Sequence, residues 1–166
     1  MRFSLIDRIT GLERDESITA IKNLTLAEEY LQDHFPGFPV MPGVLLVESL
    51  VQSCGWLMRY SCDFAYSTVL LEEAKAVKFN KFLAPGNSMT IDCRVQKKDD
   101  DGTRWTFKAA GSVDDTNIVS AKLTLTQFNL ADQYPKIASG DELQTQHAKE
   151  LFATLGGEEL TKASSV

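Results

Sequence analysis

Three stretches in the second half of the chain alternate between apolar and polar residues, over positions 89–96, 104–109 and 121–126. A period of two is typical of a strand with one buried and one solvated face. Turn-forming residues occupy the gaps between these stretches, at 101–102 and 114–117. The pattern therefore predicts an antiparallel meander of three strands.

Shorter apolar runs predict further extended segments. Residues 3–9 and 17–24 are typical of two short strands, separated by the polar stretch 13–16. Residues 68–79 begin apolar and continue with alternation, and a clear turn follows at 84–87. With the meander, these segments supply the strands of a sheet.

One segment is too apolar for a surface helix. It begins at Pro42, which suits the first position of a helix, has no breaker before Gly55, and continues to Arg59. At about 100° per residue, one broad face comprises Leu46, Val47, Leu50, Cys54, Leu57 and Met58. The opposite face comprises Glu48, Ser49, Gln52 and Ser53. The sheet and this helix bury each other's apolar faces, so we expect an α+β fold in which a curved antiparallel sheet wraps around one long central helix.

The chain has 166 residues, of which 43% are hydrophobic and 24% charged, which suits one ordinary domain. We place that domain at residues 1–128. The C-terminal extension, 129–166, has a different composition and predicts one short amphipathic helix with a frayed end at 162–166. The residues behind this prediction are the capping pair Ser139 and Glu142, the apolar Leu143, Phe152 and Leu155, and the terminating Gly156 and Gly157.

Charge and cysteine content exclude several classes of function. A formal net charge of -6 argues against non-specific binding to nucleic acid or to anionic membranes. No apolar run approaches the length of a membrane span, and the N-terminus does not resemble a secretory signal. The three cysteines, Cys54, Cys62 and Cys93, lack metal-ligand spacing. We expect reduced thiols, a cytoplasmic protein and no metal site.

The loop that precedes the apolar helix holds one of the two histidines. Prolines at every third position, Pro36, Pro39 and Pro42, restrict its backbone and place His34 just ahead of a helix N-terminus. His147 lies in the extension among polar residues, and we expect it to be an ordinary surface residue. A lone histidine is more often structural than catalytic, so His34 gains weight only from its neighbours.

Those neighbours are a carboxylate and a helix N-terminus. Glu48 is a single acid in an apolar helix, so either Gln52 and the loop satisfy it or it takes part in chemistry. The unpaired N-H of Gly43 points outward and can bind a developing oxyanion. A base, a carboxyl group and an oxyanion site together suit proton abstraction next to a carbonyl, followed by loss of a leaving group.

The residues of this segment carry a specific resemblance. The run HFPGFPVMPGVLLVESLVQ resembles the signature of the β-hydroxyacyl-(acyl carrier protein) dehydratases of fatty-acid synthesis, whose fold is the hot-dog. Similar runs occur along residues 2–128, namely LIDRI, ITAIKNLT, KFNKFLAPGNSMTI and WTFKAAGSVDDTNIVSAKLTL. The resemblance implies a lyase that acts on a 3-hydroxyacyl thioester of acyl carrier protein, without a metal or an organic cofactor.

The resemblance also implies roles for individual residues. His34 corresponds to the base at C2, and Glu48 to the acid that helps the 3-hydroxyl leave as water. The N-H of Gly43 corresponds to the group that polarises the thioester carbonyl, and Gln52 to the residue that orients the carboxyl. Members of the family form homodimers in which the histidine of one protomer meets the carboxylate of the other, and many assemble three dimers into a hexamer.

Two residues depart from the family pattern by adding apolar volume, Phe38 and Val51, and they are candidates for lining an acyl tunnel. Acyl carrier protein is acidic, so its docking needs a basic surface. Candidates for that surface by sequence position are Arg59, Lys75, Lys78 and Lys81.

Other activities of the same fold are alternatives to the dehydratase. They are an enoyl-thioester hydratase, a dehydratase that also isomerises, and a thioesterase. A non-catalytic acyl-binding or assembly subunit is an alternative of another class. The presence of both His34 and Glu48 favours the dehydratase over the thioesterase and over a subunit without chemistry.

Overall fold

The computed structural model describes residues 3–132 and 134–163, and within them six antiparallel strands form one sheet. The strands are β1 (Arg8–Glu13), β2 (Ser17–Asn23), β3 (Thr68–Phe79), β4 (Ser88–Lys98), β5 (Arg104–Val113) and β6 (Thr116–Phe128). The helices are α1 (Gly43–Ser61), α2 (Ala138–Thr154) and α3 (Gly157–Ala163), with short 3-10 turns at Glu29–Leu31, Leu130–Asp132 and Pro135–Ile137. The order of the strands across the sheet is β1-β2-β4-β5-β6-β3.

The sheet curves around α1. This helix packs against β2 and also against β3 at the far edge. Those strands are four spacings apart, which is roughly 19 Å at the usual distance between strands. A helix about 10 Å across reaches both only if the sheet bends toward it. The expected α+β architecture, with one central helix inside a curved sheet, is therefore confirmed.

The meander predicted from alternation is confirmed in β4, β5 and β6. Met89, Ile91 and Cys93 are buried on β4, as are Trp105 and Phe107 on β5. The last hairpin turns through two residues with positive φ, Asp114 and Asp115, which is typical of tight two-residue turns. The predicted extended segment 68–79 coincides with β3.

The first predicted strand, 3–9, is wrong in its position, because β1 begins only at Arg8. Leu5 and Ile6 are buried, but they lie outside the strand. The backbone N-H of Leu5 donates to the side chain of Gln52 in α1, at 2.8 Å, instead of to a neighbouring strand. An apolar segment can thus be buried and extended without belonging to a sheet.

The central helix is more deeply buried than its pattern predicts. Pro42 is the N-cap, so the helix begins one residue later than expected. Ser49 and Ser53 were expected on the polar face and are fully buried instead. Their hydroxyls donate to carbonyls one turn back in the same helix, at 2.9 Å each, which satisfies them without water.

One edge of the sheet is left uncovered within the described residues. Strand β3 is paired on one side only, with β6, and large apolar side chains on it are exposed. Leu70, Leu71 and Phe79 have 52%, 40% and 54% of their surface accessible. An exposed apolar edge strand is a surface that another strand can pair with.

The extension contains two helices where the sequence predicted one short helix. Helix α2 spans 17 residues, and the chain turns at Gly156, whose φ is +86°, before α3 begins at Gly157. Gly156 therefore ends one helix as expected, but Gly157 starts another. Leu143 was expected on the apolar stripe and is exposed. Helix α3 extends to Ala163, and the rest of the predicted frayed end, 164–166, lies outside the described residues.

The two helices pack into the core, α2 against the central helix and α3 against β1. Phe152 of α2 is buried and lies against three aromatic rings, those of Trp56, Tyr60 and Phe64, with centroid distances between 5.4 and 6.1 Å. The backbone N-H of Ile9 in β1 donates to the carbonyl of Leu155, at 2.8 Å. The extension is thus continuous with the domain.

A buried carboxylate fixes the start of α2. Asp141 accepts a short hydrogen bond from the hydroxyl of Ser67 and further bonds from the backbone N-H groups of Leu130 and Ala131. Hydrogen bonds from these donors, most of all the one from Ser67, hold the pKa of Asp141 below its usual range. The contact ties the extension to the connection between α1 and β3.

None of the helices in the described part of the chain is long and apolar enough to cross a membrane.

The three cysteines are free thiols, with Cys54 and Cys93 buried and Cys62 half-buried.

Truncation of Phe152 tests whether the extension belongs to the core. We expect Phe152→Ala to lower the free energy of unfolding by about 3–5 kcal/mol, because it opens a cavity among aromatic rings. The measurement is urea denaturation followed by fluorescence. Leu143→Ala, on the exposed side of the same helix, is the matched control and should change the value by less than about 0.5 kcal/mol. Equal effects of the two variants would show that the extension does not contribute to the core.

Candidate functional site

The ring of His34 is held in one orientation by the loop that carries it. Its Nδ1 lies 3.0 Å from the carbonyl oxygen of Val40, and the backbone N-H of Val40 donates to the carbonyl of His34, also at 3.0 Å. A carbonyl only accepts, so Nδ1 carries the proton and Nε2 keeps its lone pair. His34 is half-buried and stacks on Phe35 at 4.2 Å. The ring is thus prepared to accept a proton at Nε2.

Backbone hydrogen bonds close the loop on itself and fix it to the connection between β3 and β4. Phe35 and Phe38 exchange two backbone hydrogen bonds, at 3.0 and 3.2 Å, around Gly37, whose φ is +81°. The N-H of Met41 donates to the carbonyl of Leu83 at 2.9 Å. The peptide bond between His34 and Phe35 is cis. The rigid loop predicted from the three prolines is present.

His34 lines a cavity of about 560 Å³, here called the histidine cavity. Its other lining residues are Phe35, Met41, Gly43, Leu46, Phe79, Asn80, Lys81 and Phe82. Gly43 is the first residue of α1, and the hydrogen bonds of the described residues include none donated by its N-H. A side chain at this position would begin 3.1 Å from the ring of Phe79. Glycine therefore leaves room for the ring of Phe79, and the N-H of Gly43 lies at a helix N-terminus that borders the histidine cavity, where helix polarity favours negative charge.

Glu48 lies in the second turn of α1 and is oriented by Gln52 one turn later. The amide nitrogen of Gln52 donates to Oε1 of Glu48 at 3.0 Å and to the carbonyl of Phe3 at 3.2 Å. The amide oxygen of Gln52 accepts from the N-H of Leu5 at 2.8 Å. Because the N-terminal segment holds the amide on both sides, Gln52 presents a fixed donor to the carboxylate.

Glu48 lines a second cavity of about 350 Å³, here called the carboxylate cavity, which runs along α1 and under α2. His34 does not line it, and Glu48 does not line the histidine cavity, among the residues described. The helix explains this separation. Glu48 follows Gly43 by five positions, and at about 100° per residue these two positions of the helix point roughly 140° apart. One chain therefore brings His34 and Gly43 together but leaves Glu48 on another face.

The remaining candidates fall into two groups. Val51 lines the carboxylate cavity, whereas Phe38 is exposed and meets Phe82 edge to face at 5.8 Å, outside the lining of either cavity. Lys81 lines the histidine cavity, and Lys75 and Lys78 are exposed on β3.

Arg59 is separated from the three lysines. It is half-buried, lines the carboxylate cavity and donates to the carbonyls of Tyr66 and Ser67, at 3.2 and 3.0 Å. This burial lowers the pKa of the guanidinium. A side chain in this position is directed into the molecule rather than toward a docking partner.

Sequence reasoning missed the contribution of the extension to this region. His147 is exposed, as expected of a surface residue, yet it lines the carboxylate cavity together with Gln144, Ala148 and Leu151. Nothing in the local pattern around residue 147 indicates this contact. It arises because Phe152 and Asp141 fix α2 across the C-terminal half of α1.

Comparison with protein families gives one matching model, that of the FabA-like domain, over residues 1–122. Among curated relatives, the 3-hydroxyacyl-[acyl-carrier-protein] dehydratase FabZ of Levilactobacillus brevis is 40% identical over 119 residues, which cover 72% of this chain and 79% of the relative. The FabZ of Saccharophagus degradans is 36% identical over 124 residues, which cover 73% and 84% of the two chains.

Solved structures with the same fold are more distant in sequence. The dehydratase heterocomplex ApeI:P from Xenorhabdus doucetiae matches with a TM-score of 0.63 at 18% identity, over 80% of this chain and 88% of that one. The smu.793 protein of Streptococcus mutans, solved with acetyl CoA, matches with a TM-score of 0.58 at 13% identity, over 76% and 91%. At these identities the likeness establishes the fold, which is the hot-dog fold that the sequence predicted.

The contact between Gln52 and Glu48 predicts a pH-dependent loss of stability. In Gln52→Glu two carboxyl groups face each other, and they are most stable when they share one proton. Two facing carboxylates repel each other at high pH, and a shared proton at lower pH relieves that repulsion. We therefore expect the variant to be destabilised more at pH 8 than at pH 5, by about 1–3 kcal/mol, as measured by urea denaturation at both pH values.

Gln96→Glu, at an exposed position of β4, is the matched control and should show no such difference. A destabilisation of Gln52→Glu that is equal at the two pH values would mean that the side chain at position 52 does not face Glu48.

Proposed function

The chain belongs to the FabA-like domain family, and from that membership we propose that it dehydrates 3-hydroxyacyl-[acyl-carrier-protein] to the trans-2-enoyl thioester in fatty-acid biosynthesis. It is thus an enzyme of the lyase class. The observation that carries the proposal is the fixed ring of His34, with its proton on Nδ1, beside the free N-H of Gly43. These groups are what removal of a proton next to a thioester carbonyl requires.

The reaction follows from the position of each group. The thioester carbonyl accepts a hydrogen bond from Gly43 N-H, which stabilises the negative charge that develops on its oxygen. Nε2 of His34 takes the proton from C2 as the double bond between C2 and C3 forms. The carboxyl group of Glu48 gives a proton to the 3-hydroxyl, the bond from C3 to oxygen breaks, and water leaves. Gln52 holds Glu48 in place through its amide N-H. This scheme uses neither a metal nor an organic cofactor.

The active unit that we propose is a homodimer joined through the uncovered edge of the sheet. Leu70, Leu71 and Phe79 expose apolar surface on β3, which is paired on one side only. A two-fold axis beside this strand would bury the exposed apolar surface of β3 in both protomers. It would also let the histidine cavity of one protomer meet Glu48 of the other. This is needed because His34 and Glu48 line separate cavities within one chain. Many of the proteins that the sequence resembles assemble three such dimers into a hexamer, so a dimer and a hexamer are both candidates for the active assembly.

We also propose a cytoplasmic location. Free thiols at Cys54, Cys62 and Cys93 are typical of proteins in a reducing compartment.

Mixed dimers test the site across the interface. We expect His34→Ala and Glu48→Gln each to lower kcat by about 10² to 10⁴ fold, as is usual for loss of an acid or base. A heterodimer of the two variants pairs one intact His34 with one intact Glu48, so its turnover should recover to about half that of the wild type. Two different affinity tags allow the heterodimer to be isolated after co-expression and assayed by loss of water from a 3-hydroxyacyl carrier thioester.

The parent homodimers, purified through the same tags, are the controls. A heterodimer no more active than its parents, although its melting temperature is unchanged, would mean that both groups act within one chain.

The carrier protein is proposed to dock beside the histidine cavity. Lys81 lines that cavity, and Lys78 is exposed nearby in sequence at the end of β3. Acidic partners are attracted to such a surface before they reach the site. Lys75 is a weaker contributor, because it already pairs with Glu73 at 2.8 Å. Arg59 is left out of this surface because it is half-buried in the carboxylate cavity.

Charge reversal tests this docking surface. The double substitution Lys78→Glu with Lys81→Glu should raise KM for a carrier-bound substrate by about tenfold or more, because like charges then face each other. KM for a small thioester analogue should stay unchanged. The matched control reverses Lys97 and Lys108, which are exposed and line neither cavity. An equal rise in KM for both substrates would contradict docking at this surface.

A further inference from the structure

The carboxylate cavity follows one line along α1. Glu48, Gln52, Gly55 and Arg59 all line it. Residues 48 and 59 are eleven positions apart, which is close to three helical turns, so they point in nearly the same direction about 16 Å apart. The cavity is therefore an elongated channel with the carboxylate of Glu48 at one end and the guanidinium of Arg59 at the other.

The middle of the channel is narrow and apolar. Gly55 has no side chain, and a Cβ there would lie 3.6 Å from Val69 of β3. A Cβ at residue 55 would thus already be in van der Waals contact with the strand, so the glycine marks a close approach of α1 and β3 at this point. Val51 and Leu125 also line the channel. Such a section suits a hydrocarbon chain and offers no partner to a polar group.

The far end of the channel is formed by the positively charged guanidinium of Arg59. Arg59 is half-buried, and its two terminal nitrogens donate to backbone carbonyls. No ion pair joins Arg59 to an acid anywhere in residues 3–132 or 134–163. A guanidinium has five N-H donors, so carbonyl contacts leave donors unused. A partly desolvated cation without an anion is costly, and an incoming oxygen acceptor would reduce that cost.

One wall of the channel comes from the C-terminal extension. Gln144, His147 and Leu151 of α2 line it, and α2 lies beyond residues 1–122, which match the family. Asp141 and Phe152 hold α2 in this position. The extension therefore adds polar side chains to a channel that starts at the proposed acid.

We propose that this channel receives the far end of the acyl group and selects acyl chains that end in an oxygen acceptor, which Arg59 binds. The inference rests on the proposed dehydratase function, because Glu48 defines the near end. An extended chain advances roughly 1.2 Å per bond, by comparison with the backbone. The helix rise of about 16 Å between residues 48 and 59 therefore corresponds to a chain of roughly thirteen bonds. Carboxylate and hydroxyl ends share the acceptor chemistry and differ in charge.

The test compares three 3-hydroxyacyl carrier thioesters of equal length, about fifteen carbons by the same spacing, that end in a methyl, a hydroxyl or a carboxylate group. We expect kcat/KM for one or both oxygen-ended substrates to exceed that of the methyl-ended substrate by about tenfold or more, the usual effect of a hydrogen bond to a charged group. Arg59→Met keeps the length of the stem and should remove this preference. Arg59→Lys should keep it for the carboxylate. Arg94→Met, at an exposed arginine of β4, is the matched control.

The outcomes separate this inference from the proposed function. A 3-hydroxybutyryl substrate is too short to reach Arg59, so its dehydration tests the function alone. Dehydration of that substrate, combined with equal or better turnover of the methyl-ended chain, would overturn the inference and leave the function intact. So would an end-group preference that survives in Arg59→Met.

A second measurement does not depend on turnover. Titration calorimetry with decanoate, whose carboxylate is itself an oxygen acceptor, should give tighter binding to the wild type than to Arg59→Met. Equal affinities of the two proteins for this ligand would overturn the inference even if the short substrate were not turned over.

Discussion

The burial of α1 inside the sheet is the constraint on which the rest of the structure depends. Between the sheet on one side and the extension on the other, the middle of α1 has no free face on which to leave polar groups in water. Each polar side chain on it must therefore find a partner inside the protein. Ser49 and Ser53 bond to the helix itself, and Gln52 bonds to the N-terminal segment. Glu48 and Arg59 border a cavity in which a bound molecule could supply the partner.

The pattern of apolar and polar residues predicted those strands and helices in which the same face is buried along the whole element. Strands of the meander have one dry face from end to end, so period two identifies them, and α1 is identified because it carries a long apolar run whose middle part is buried. The N-terminal segment differs, since Leu5 and Ile6 are buried by α1 and not by a strand partner. Alternation reports burial of a face and not hydrogen bonding, so it placed the first strand too early. The extension was incompletely predicted because the burial of Phe152 depends on aromatic residues 88 to 96 positions away in sequence.

The candidate site was predictable to the extent that it lies within one segment. His34 and Gly43 are nine residues apart on a rigid loop, and they line one cavity. The loop also fixes the tautomer of His34, which depends on the carbonyl of Val40 and which no residue pattern encodes. The wall that His147 contributes, and the turn of Arg59 away from the surface, depend on how α2 packs against α1. Those contacts are tertiary, so sequence position alone grouped Arg59 with the lysines of β3.

The placement of both proposed reactive groups on one segment has a geometric consequence. His34 and Glu48 belong to one rigid unit, a closed loop continued by a buried helix, and they face different directions from it. No small movement of one chain can bring them together, because that would require α1 to rotate inside its sheet. A two-fold axis avoids this requirement, since whatever places His34 against Glu48 of the partner subunit also places the reciprocal pair. Under the proposed pairing, a single interface at β3 therefore sets the geometry of two sites at once. A change in that interface would alter both sites together, even where it leaves the loop, the helix and the hydrogen bond from Gln52 to Glu48 intact.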